Sequence, residues 1–404
     1  MVIYSKKNEG VEEKPTQGRY EELDSLRGLA ALAVFLGHIL LIFNLSFYAL
    51  VLFEFGPFRV FVAGSEAVML FFILSGFVLS LPFYKKKPFT YNTYIIKRVC
   101  RIYVPYIFAI CLAFVCKELF YDGRIASLSD WFNGLWDTKI TFKEMVNHLL
   151  LVTNFSSNLN VVVWSLVHEM RISFVFPFVL LILIRIDSVK GIILAFSCSI
   201  ISVFFVFLTG AEYLGTELFV SIHYLALFIV GALLAKHRKY LINCYKNLSR
   251  NLKILFFFIG IILYVYAHPS FVLNLLIPDF HPFYRTVIDS WFISAGACIL
   301  IISALSSGTF SRLLNNKIIN YLGKISYSLY LTHIVVLSSA MYIFSDIMPL
   351  WSVCLIAIIF TFAISSVMYE IVEKNAIKLG KYLENYLKKR IKKNVINKNE
   401  EINL

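Results

Sequence analysis

The first long apolar run of the chain is LRGLAALAVFLGH, residues 26–38. It contains two ionisable residues, Arg27 and His38, which lie eleven positions apart. Eleven steps of an α-helix make roughly three turns plus 20°, so both side chains project from nearly the same face, roughly 16 Å apart along the axis. Because ionisable groups in a spanning helix are costly unless they face a cavity or a partner, the run predicts a membrane helix with a functional face. The alternative is an arginine that reaches the membrane surface and a histidine satisfied by a neighbouring helix.

Composition indicates the same class of protein for the whole chain. Hydrophobic residues occupy 59% of the 404 positions and charged residues only 16%, a balance typical of proteins that are embedded in a bilayer. The predicted fold class is an all-α integral membrane protein, a polytopic bundle of about ten transmembrane helices. The predicted spans are residues 26–48, 60–82, 104–121, 161–184, 190–210, 217–235, 252–268, 287–306, 324–344 and 350–372.

Lysine and arginine are unevenly divided between the two sets of loops, and this predicts the orientation. By the positive-inside rule, the basic set and both termini are cytoplasmic, and the protein is expected in the cell (inner or plasma) membrane. The net charge of +13 then requires no nucleic-acid partner, because basic loops face an anionic leaflet of the bilayer. The basic set comprises Lys85, Lys86, Lys87, Lys97, Arg98, Arg101, Arg185, Lys190, Lys236, Arg238, Lys239, Lys246, Arg250, Lys253, Arg312, Lys317 and Lys324.

Three parts are expected along the chain. Residues 1–22 form a polar cytoplasmic segment without the apolar core of a cleavable signal peptide, and residues 23–372 form the membrane domain. Residues 373–404 are expected to form a basic cytoplasmic tail that lies along the inner leaflet or is disordered. Seven scattered cysteines without C-x-x-C spacing favour apolar packing over disulfides, and no metal site is predicted.

The longest loop on the predicted exterior, residues 122–160, is the best candidate for a lid or an acceptor-facing surface. It contains an interfacial set of aromatic residues, Trp131, Phe132 and Trp136. These are followed by residues 141–150, whose pattern predicts an amphipathic helix.

Glu169 in the fourth predicted span is expected to lie at the depth of His38. Counting inward from Val161 places the carboxylate roughly 12 Å below the outer surface, and counting from Ser46 gives His38 a similar depth. A carboxylate can orient an imidazole and stabilise its cationic form while the ring accepts a proton, so the pair suits a general base. The alternative is a buried pair that only fixes helix packing.

Arg98 and Arg101 lie three residues apart at the cytoplasmic start of the third span. Two guanidiniums on one helical face offer bidentate donors to phosphates, as a nucleotide-bearing donor would require. Cytoplasmic loops of membrane proteins often contain such arginine pairs. The alternative is therefore that Arg98 and Arg101 only help to set the orientation of the chain in the membrane.

Five short motifs follow one another along the membrane region. They are DSLRGLA (24–30) with His38, FFILSGF (71–77), KRVCRIYVP (97–105), WSLVHE (164–169) with Pro177, and SYSLYLTH (326–333). In this order they resemble the signature of the membrane-bound family 3 acyltransferases, multi-span enzymes that O-acylate carbohydrates and related acceptors. Besides the residues already named, these motifs suggest possible supporting residues of the site: Asp24, Ser75, Trp164, Ser165, His168, Tyr330 and His333.

The resemblance implies an acyl-CoA co-substrate, often acetyl-CoA, supplied from the cytoplasm, with no permanently bound cofactor. The acceptor would be a hydroxyl of a cell-surface or lipid-linked carbohydrate, such as a polysaccharide or lipopolysaccharide. Arg27 and His38 match the family's Arg-to-His motif in the first span, and Arg98 and Arg101 match its Arg-x-x-Arg motif. We expect His38 to act as general base with Glu169 as its orienting carboxylate, Arg27 to contact the donor, and Arg98 with Arg101 to hold its phosphates. His333 is expected either to contact the pantetheine arm or to be packed structurally.

Many family members also carry a C-terminal SGNH-type domain, whereas this chain ends about thirty residues after the last predicted span. Transfer is therefore expected to proceed directly to the acceptor or through a separate extracytoplasmic protein. Ser75 and Ser165 are plausible hydroxyl groups for a covalent acyl-enzyme, so whether such an intermediate forms stays open.

The rival class of protein is a transporter or flippase for a lipid-linked glycan, in which intramembrane charges line a permeation path. A non-catalytic acyl-CoA sensor is a third interpretation, which the presence of His38 argues against.

Overall fold

The computed structural model describes residues 20–85, 89–153, 158–277 and 279–402, and all regular structure within these ranges is helical. Most of the predicted segment 1–22 lies outside the described residues, as do Lys86 and Lys87. The α-helices are α1 (Glu21–Leu41), α2 (Phe47–Leu50), α3 (Gly64–Tyr84), α4 (Tyr91–Phe120), α5 (Asp130–Asn133), α6 (Phe142–Leu150), α7 (Val163–Arg185), α8 (Ser188–Thr209), α9 (Leu218–Asn247), α10 (Arg250–Tyr266), α11 (Ser270–Leu276), α12 (Pro282–Ser306), α13 (Gly308–Leu314), α14 (Lys317–Phe344), α15 (Leu350–Met368) and α16 (Lys374–Ile402). Shorter 3₁₀ or π turns occupy Val51–Phe55, Pro57–Phe61 and Tyr369–Glu373.

The spanning helices confirm the predicted polytopic bundle. Within the described ranges, nine helices are long and apolar enough to cross a membrane, and the pair α10 and α11, bent by 44°, raises the number to ten if it forms one span. Successive spans run in opposite directions, so their ends form two faces. We call the face at which α1 and α4 begin the basic end, and the other face the opposite end.

Glycines allow the helices around the site to approach closely at two crossings. A Cβ on Gly28 of α1 would lie 2.5 Å from the backbone nitrogen of Gly323 in α14. A Cβ on Gly76 of α3 would lie 2.1 Å from the carbonyl oxygen of Phe228 in α9. Small residues are favoured at such crossings because lipid tails provide no hydrophobic driving force between helices, so close packing must supply it. The relative positions of α1 and α14 therefore depend on residues without side chains.

The first helix is shorter than its predicted span. It ends at Leu41 instead of near residue 48, and the last carbonyl groups of a helix have no partner within it. Ser129, just before α5, supplies those partners: its backbone amide donates to the Ile42 carbonyl at 2.8 Å, and its hydroxyl donates to the Leu41 carbonyl at 2.5 Å. The loop that carries Trp131 is thereby attached to the end of α1.

The predicted amphipathic segment 141–150 is confirmed as α6. Thr141 and Glu144 form a capping box at its start, in which each side chain satisfies a free backbone amide. The Tyr106 hydroxyl of α4 donates to the His148 carbonyl oxygen at 2.8 Å. The buried His148 side chain thus faces a helix of the bundle.

We expect α6 to detach from the bundle as the pH falls. Burial lowers the pKa of His148 from 6.5 to about 4, although nearby Glu144 acts in the other direction. The undocked segment therefore binds a proton more readily than the docked one. The free energy that favours docking is at its full value above pH 6.5 and decreases as the pH falls towards 4. Amide hydrogen exchange of residues 142–150 should accelerate between pH 7 and 4.5 in excess of the intrinsic pH effect. His148→Leu should remove this excess, and identical pH profiles for the two proteins would contradict the expectation.

The beginning of the predicted basic tail is a packed helix rather than a disordered segment. α16 follows the last span through a single π-helical turn. Lys97 Nζ of α4 lies 3.1 Å from Glu384 Oε2 of α16, and a Cβ on Gly380 would lie 3.3 Å from the Cys100 side chain. The tail helix therefore covers the half of α4 that lies nearest the basic end.

Candidate active site

A cavity of about 420 Å³ lies within the bundle near its basic end. Its walls come from α1, α3, α4, α7 and α14, together with the turn between α15 and α16. Four cations and three carboxylates line it: Arg27, Arg98, Arg101, Lys324, Asp24, Glu169 and Glu373. Such groups are rare inside a membrane and mark functional cavities when they are present.

Arg27 lies on the wall contributed by α1. Its Nη1 lies 3.1 Å from the Asp24 carboxylate one turn earlier, and its Nη2 donates to the Leu74 carbonyl oxygen of α3 at 3.2 Å. These two bonds fix the guanidinium between α1 and α3. Arg27 thus lines the cavity between these two helices.

Arg98, Glu169 and Ser75 join three helices at the centre of the cavity wall. Arg98 Nη2 lies 2.7 Å from Glu169 Oε1, and the Ser75 hydroxyl donates to the same oxygen at 3.1 Å. Arg98 Nε also donates to the Ser173 hydroxyl at 3.1 Å. The carboxylate thus neutralises Arg98, and the three bonds connect α3, α4 and α7.

The predicted pairing of Glu169 with His38 is therefore wrong. The depth of His38 was counted inward from Ser46, but α1 ends at Leu41, which leaves His38 within the last turn of its helix. Glu169 lies almost two turns inside α7, which begins at Val163. A buried carboxylate is stabilised most by a cation with matching hydrogen-bond geometry, and Arg98 provides it.

Arg101 and Lys324 are the cavity cations that are not neutralised by a carboxylate among the described residues. Both residues line the cavity and are exposed. The predicted clamp of two adjacent arginines consequently has two unequal members, because Arg98 is already engaged. Lys324 was assigned by the sequence only to a basic loop, since nothing local indicated that the start of α14 faces Arg101.

His38 lies beyond the cavity and pairs with another histidine. Its Nδ1 lies 2.9 Å from Nε2 of His333 on α14. The indole of Trp131 lies nearly parallel to the His38 ring, at an angle of 16° and a centroid distance of 5.3 Å. His38 is thus held between α14 and the loop attached to the end of α1. The sequence placed Trp131 on a candidate acceptor-facing surface without indicating this contact.

Two hydroxyl groups of the cavity wall lie near the histidine pair. Tyr330 and Ser165 both line the cavity, and their hydroxyl oxygens lie 2.8 Å apart. The Phe71 ring packs edge-on against the Tyr330 ring at a centroid distance of 5.6 Å, and the His333 ring centroid lies 6.1 Å from that of Tyr330. We call the contact between Tyr330 and Ser165 the hydroxyl bridge.

Besides His333, two predicted supporting residues do not reach the cavity. His168 faces away from it, because its Nδ1 accepts from the Ser221 hydroxyl at 2.8 Å and its Nε2 donates to the Gly215 carbonyl oxygen at 2.7 Å. Trp164 packs against Tyr224 of α9 and is also absent from the cavity lining. Both residues stabilise the contact between α7 and α9.

Glu373, placed by the sequence at the start of the tail, instead contributes to the cavity wall. It is buried in the π-helical turn after α15 and accepts a hydrogen bond from the Ser328 hydroxyl at 2.7 Å. A π turn shifts the register of a helix, which redirects a side chain that α-helical spacing would place elsewhere.

The profile of an acyltransferase domain family matches residues 20–370 of this chain. This range includes every span and every residue of the cavity wall up to Tyr369. The chain therefore belongs to the membrane-bound acyltransferase family 3, and the protein is a multi-pass membrane acyltransferase. No curated protein and no solved structure matches it. Membership of this family favours the predicted enzyme over the alternative of a transporter or flippase.

Proposed function

We propose that this acyltransferase moves an acyl group, in the first instance acetyl, from acyl-CoA to a hydroxyl of a cell-surface or lipid-linked carbohydrate. The observation that carries the proposal is the arrangement of a cation-lined cavity near the basic end and a histidine pair immediately beyond it. A donor with several phosphates and a long flexible arm suits such a cavity. A hydroxyl acceptor needs a base, and the histidine pair offers one.

The donor's phosphates would bind at the mouth of the cavity. Arg101 and Lys324 can donate to them without first losing a carboxylate partner, and Arg27 lines the same cavity. Charge-assisted hydrogen bonds to phosphate are stronger than neutral ones, so these residues suit an anionic donor. Arg98, which is neutralised by Glu169, would shape the wall through which the pantetheine arm passes.

The transfer step requires a proton acceptor for the attacking hydroxyl. His38 would take the hydroxyl proton on Nε2 while the oxygen attacks the thioester carbonyl. The new C–O bond replaces the C–S bond, and the CoA thiolate leaves and takes up a proton to give the free thiol. Trp131 would position the acceptor, because its ring offers an apolar surface beside the base.

We place the hydroxyl bridge across the direct route from the cavity to His38, because Tyr330 lines the cavity and its ring also contacts that of His333. Acyl delivery along this route requires Tyr330 or Ser165 to move, for example by rotation of one side chain. The bridge consists of two neutral groups, so opening it costs less than separating an ion pair would. We infer that donor binding and opening of the bridge occur together.

The proposal is tested by determining on which face of the membrane the donor is consumed and on which face the product appears. With the basic end cytoplasmic, radiolabelled acetyl-CoA should be consumed only when it is supplied to the basic end of sealed vesicles. The vesicles are prepared from membranes of expressing cells, so that the natural acceptor is present, and the label should appear in glycan or lipid on the opposite face. An impermeant maleimide identifies the faces through native Cys244, which is exposed beyond the basic end, and through Ser127→Cys in the loop that precedes α5.

A double variant, Arg101→Ala with Lys324→Ala, tests in the same assay whether the cavity binds the donor. It should require at least about tenfold more acetyl-CoA for half-maximal rate, because each lost charge-assisted bond contributes about 1.5–3 kcal/mol. Lys190→Ala with Lys253→Ala, two basic-end lysines outside the cavity, is the matched control and should behave as the parent. Donor consumption from the opposite face, or equal effects of the two double variants, would reject the proposed donor site.

A further inference from the structure

The hydrogen bonds of the histidine pair determine which ring nitrogen carries a proton. His333 Nδ1 lies 2.9 Å from the carbonyl oxygen of Leu329, one turn earlier in α14. A carbonyl oxygen only accepts hydrogen bonds, so His333 Nδ1 must carry hydrogen. In a neutral His333 the other nitrogen, Nε2, is then an acceptor.

This acceptor determines the state of His38. His333 Nε2 lies 2.9 Å from His38 Nδ1, so the His38 nitrogen must donate and carries the hydrogen of the neutral ring. The lone pair of His38 is consequently on Nε2. No described residue forms a hydrogen bond to that nitrogen, which leaves it available to a substrate.

Burial supports the neutral state of His333. The side chain is completely buried, and no carboxylate among residues 20–85, 89–153, 158–277 and 279–402 pairs with either histidine. A charge in this position would be desolvated without compensation, which is costly. The hydrogen-bond directions derived from a neutral His333 therefore apply to the resting enzyme.

We propose that His333 is the positioning residue of the transfer reaction, which holds His38 in the tautomer with hydrogen on Nδ1 and the lone pair on Nε2. This inference rests on the proposed function. When Nε2 takes the proton of the acceptor hydroxyl, His38 becomes an imidazolium, and its Nδ1–H bond to His333 becomes charge-assisted and stronger. The added stabilisation arises as the base becomes charged, so it favours the transition state over the ground state.

Trp131 completes the positioning from the other side. Its ring and the His333 ring are inclined to the His38 ring by only 16° and 13°. Rotation of His38 about its side-chain bonds would break the hydrogen bond and disrupt the stacked contact with the indole. His333 thus takes the place that a carboxylate has in many base-orienting pairs, without adding a negative charge within the membrane.

The direct experiment is solid-state nitrogen NMR of the full chain in lipid with ¹⁵N-histidine. His38, assigned by the signal lost in His38→Gln, should have a protonated Nδ1 and an unprotonated Nε2. In His333→Phe the acceptor is removed, and we expect a mixture of both tautomers. A protonated Nε2 on His38 in the parent protein would overturn the inference, whether or not any variant folds.

Kinetics separate positioning from folding. His333→Phe should lower kcat by about 10- to 150-fold, the equivalent of one charge-assisted hydrogen bond, while KM for acetyl-CoA changes less than about threefold. His333→Gln retains an acceptor and should recover part of the loss. His223→Gln is the matched control, because His223 is equally buried but bonds to Ser199 and Ser290 away from the site.

The outcomes distinguish this inference from the proposed function. If His38→Ala abolishes transfer and folded His333→Phe retains the parent's kcat, His333 has no positioning role while the proposed function stands. If His38→Ala itself retains activity, the proposed function fails whatever the NMR spectrum shows. Equal losses in His333→Phe and His223→Gln would identify a general structural effect and overturn the inference.

Discussion

Replacing His38 by alanine is expected to lower acyl transfer by about 10²- to 10⁴-fold, the range typical for loss of a general base. The side chain lies at the end of α1 between His333 and Trp131, outside the cation-lined cavity. Its loss should therefore leave acyl-CoA binding nearly unchanged. The measurements are single-turnover transfer of labelled acetyl and equilibrium binding of CoA, both on protein that elutes as a single species.

His168→Gln is the matched control for this prediction. His168 is a buried histidine of a motif shared with the family, but its hydrogen bonds connect α7 with Ser221 and Gly215. Folded His168→Gln should retain turnover within a few-fold of the parent. If it loses as much activity as His38→Ala, the division between site and scaffold described above is incorrect.

The second large effect is expected at Glu169. Glu169→Gln should destabilise the bundle by about 3 kcal/mol, at the lower end of the range for breaking a buried ion pair, because the pair faces a cavity. The reason is that Arg98 remains charged and, among the described side chains, keeps only the Ser173 hydroxyl as a hydrogen-bond partner, at 3.1 Å. Thermal unfolding in lipid nanodiscs would report the loss, and acyl transfer should decline with it because the cavity wall rearranges.

A double-mutant cycle distinguishes this pair from a simple loss of polarity. Arg98→Met combined with Glu169→Gln removes the unpaired cation and should recover part of the stability lost in Glu169→Gln alone. The control is the exposed pair of Lys190 and Asp187, where Asp187→Asn should change stability by about 0.5 kcal/mol or less. An additive cycle at Arg98 and Glu169 would contradict the ion pair.

The sequence predicted the membrane bundle and singled out several of the charged residues that line the cavity, because periodicity and charge placement carry that information. Arg27 could be assigned to a cavity from its position in one apolar run. Partners on other helices were harder to predict, since the depth of a residue depends on where its helix ends. The end of α1 at Leu41 is fixed by Ser129, a tertiary contact made almost ninety residues later. That contact moves His38 away from Glu169 and beside His333.

The other differences between the predicted and the observed site also result from contacts between segments that are distant in the sequence. Lys324 reaches the cavity through the close crossing of α1 and α14, and a glycine pair reveals such a crossing only when both helices are known. Glu373 reaches it through a π-helical turn, which has no reliable signal in hydrophobic periodicity. Trp131 was visible as an interfacial aromatic residue, yet its contact with His38 depends on a loop conformation.

The hydroxyl bridge also bears on the membrane's resistance to ion leakage. An enzyme that admits a water-soluble donor near one face and serves an acceptor near the other contains two openings, and a continuous aqueous path between them would conduct ions. A transmembrane potential drives such leakage with about 2.3 kcal/mol per elementary charge for each 100 mV. On the proposed route, the contact between Tyr330 and Ser165, with Phe71 packed beside it, would interrupt that path. Expression of Tyr330→Ala would then burden a cell through loss of ion gradients, even where no acyl donor is present.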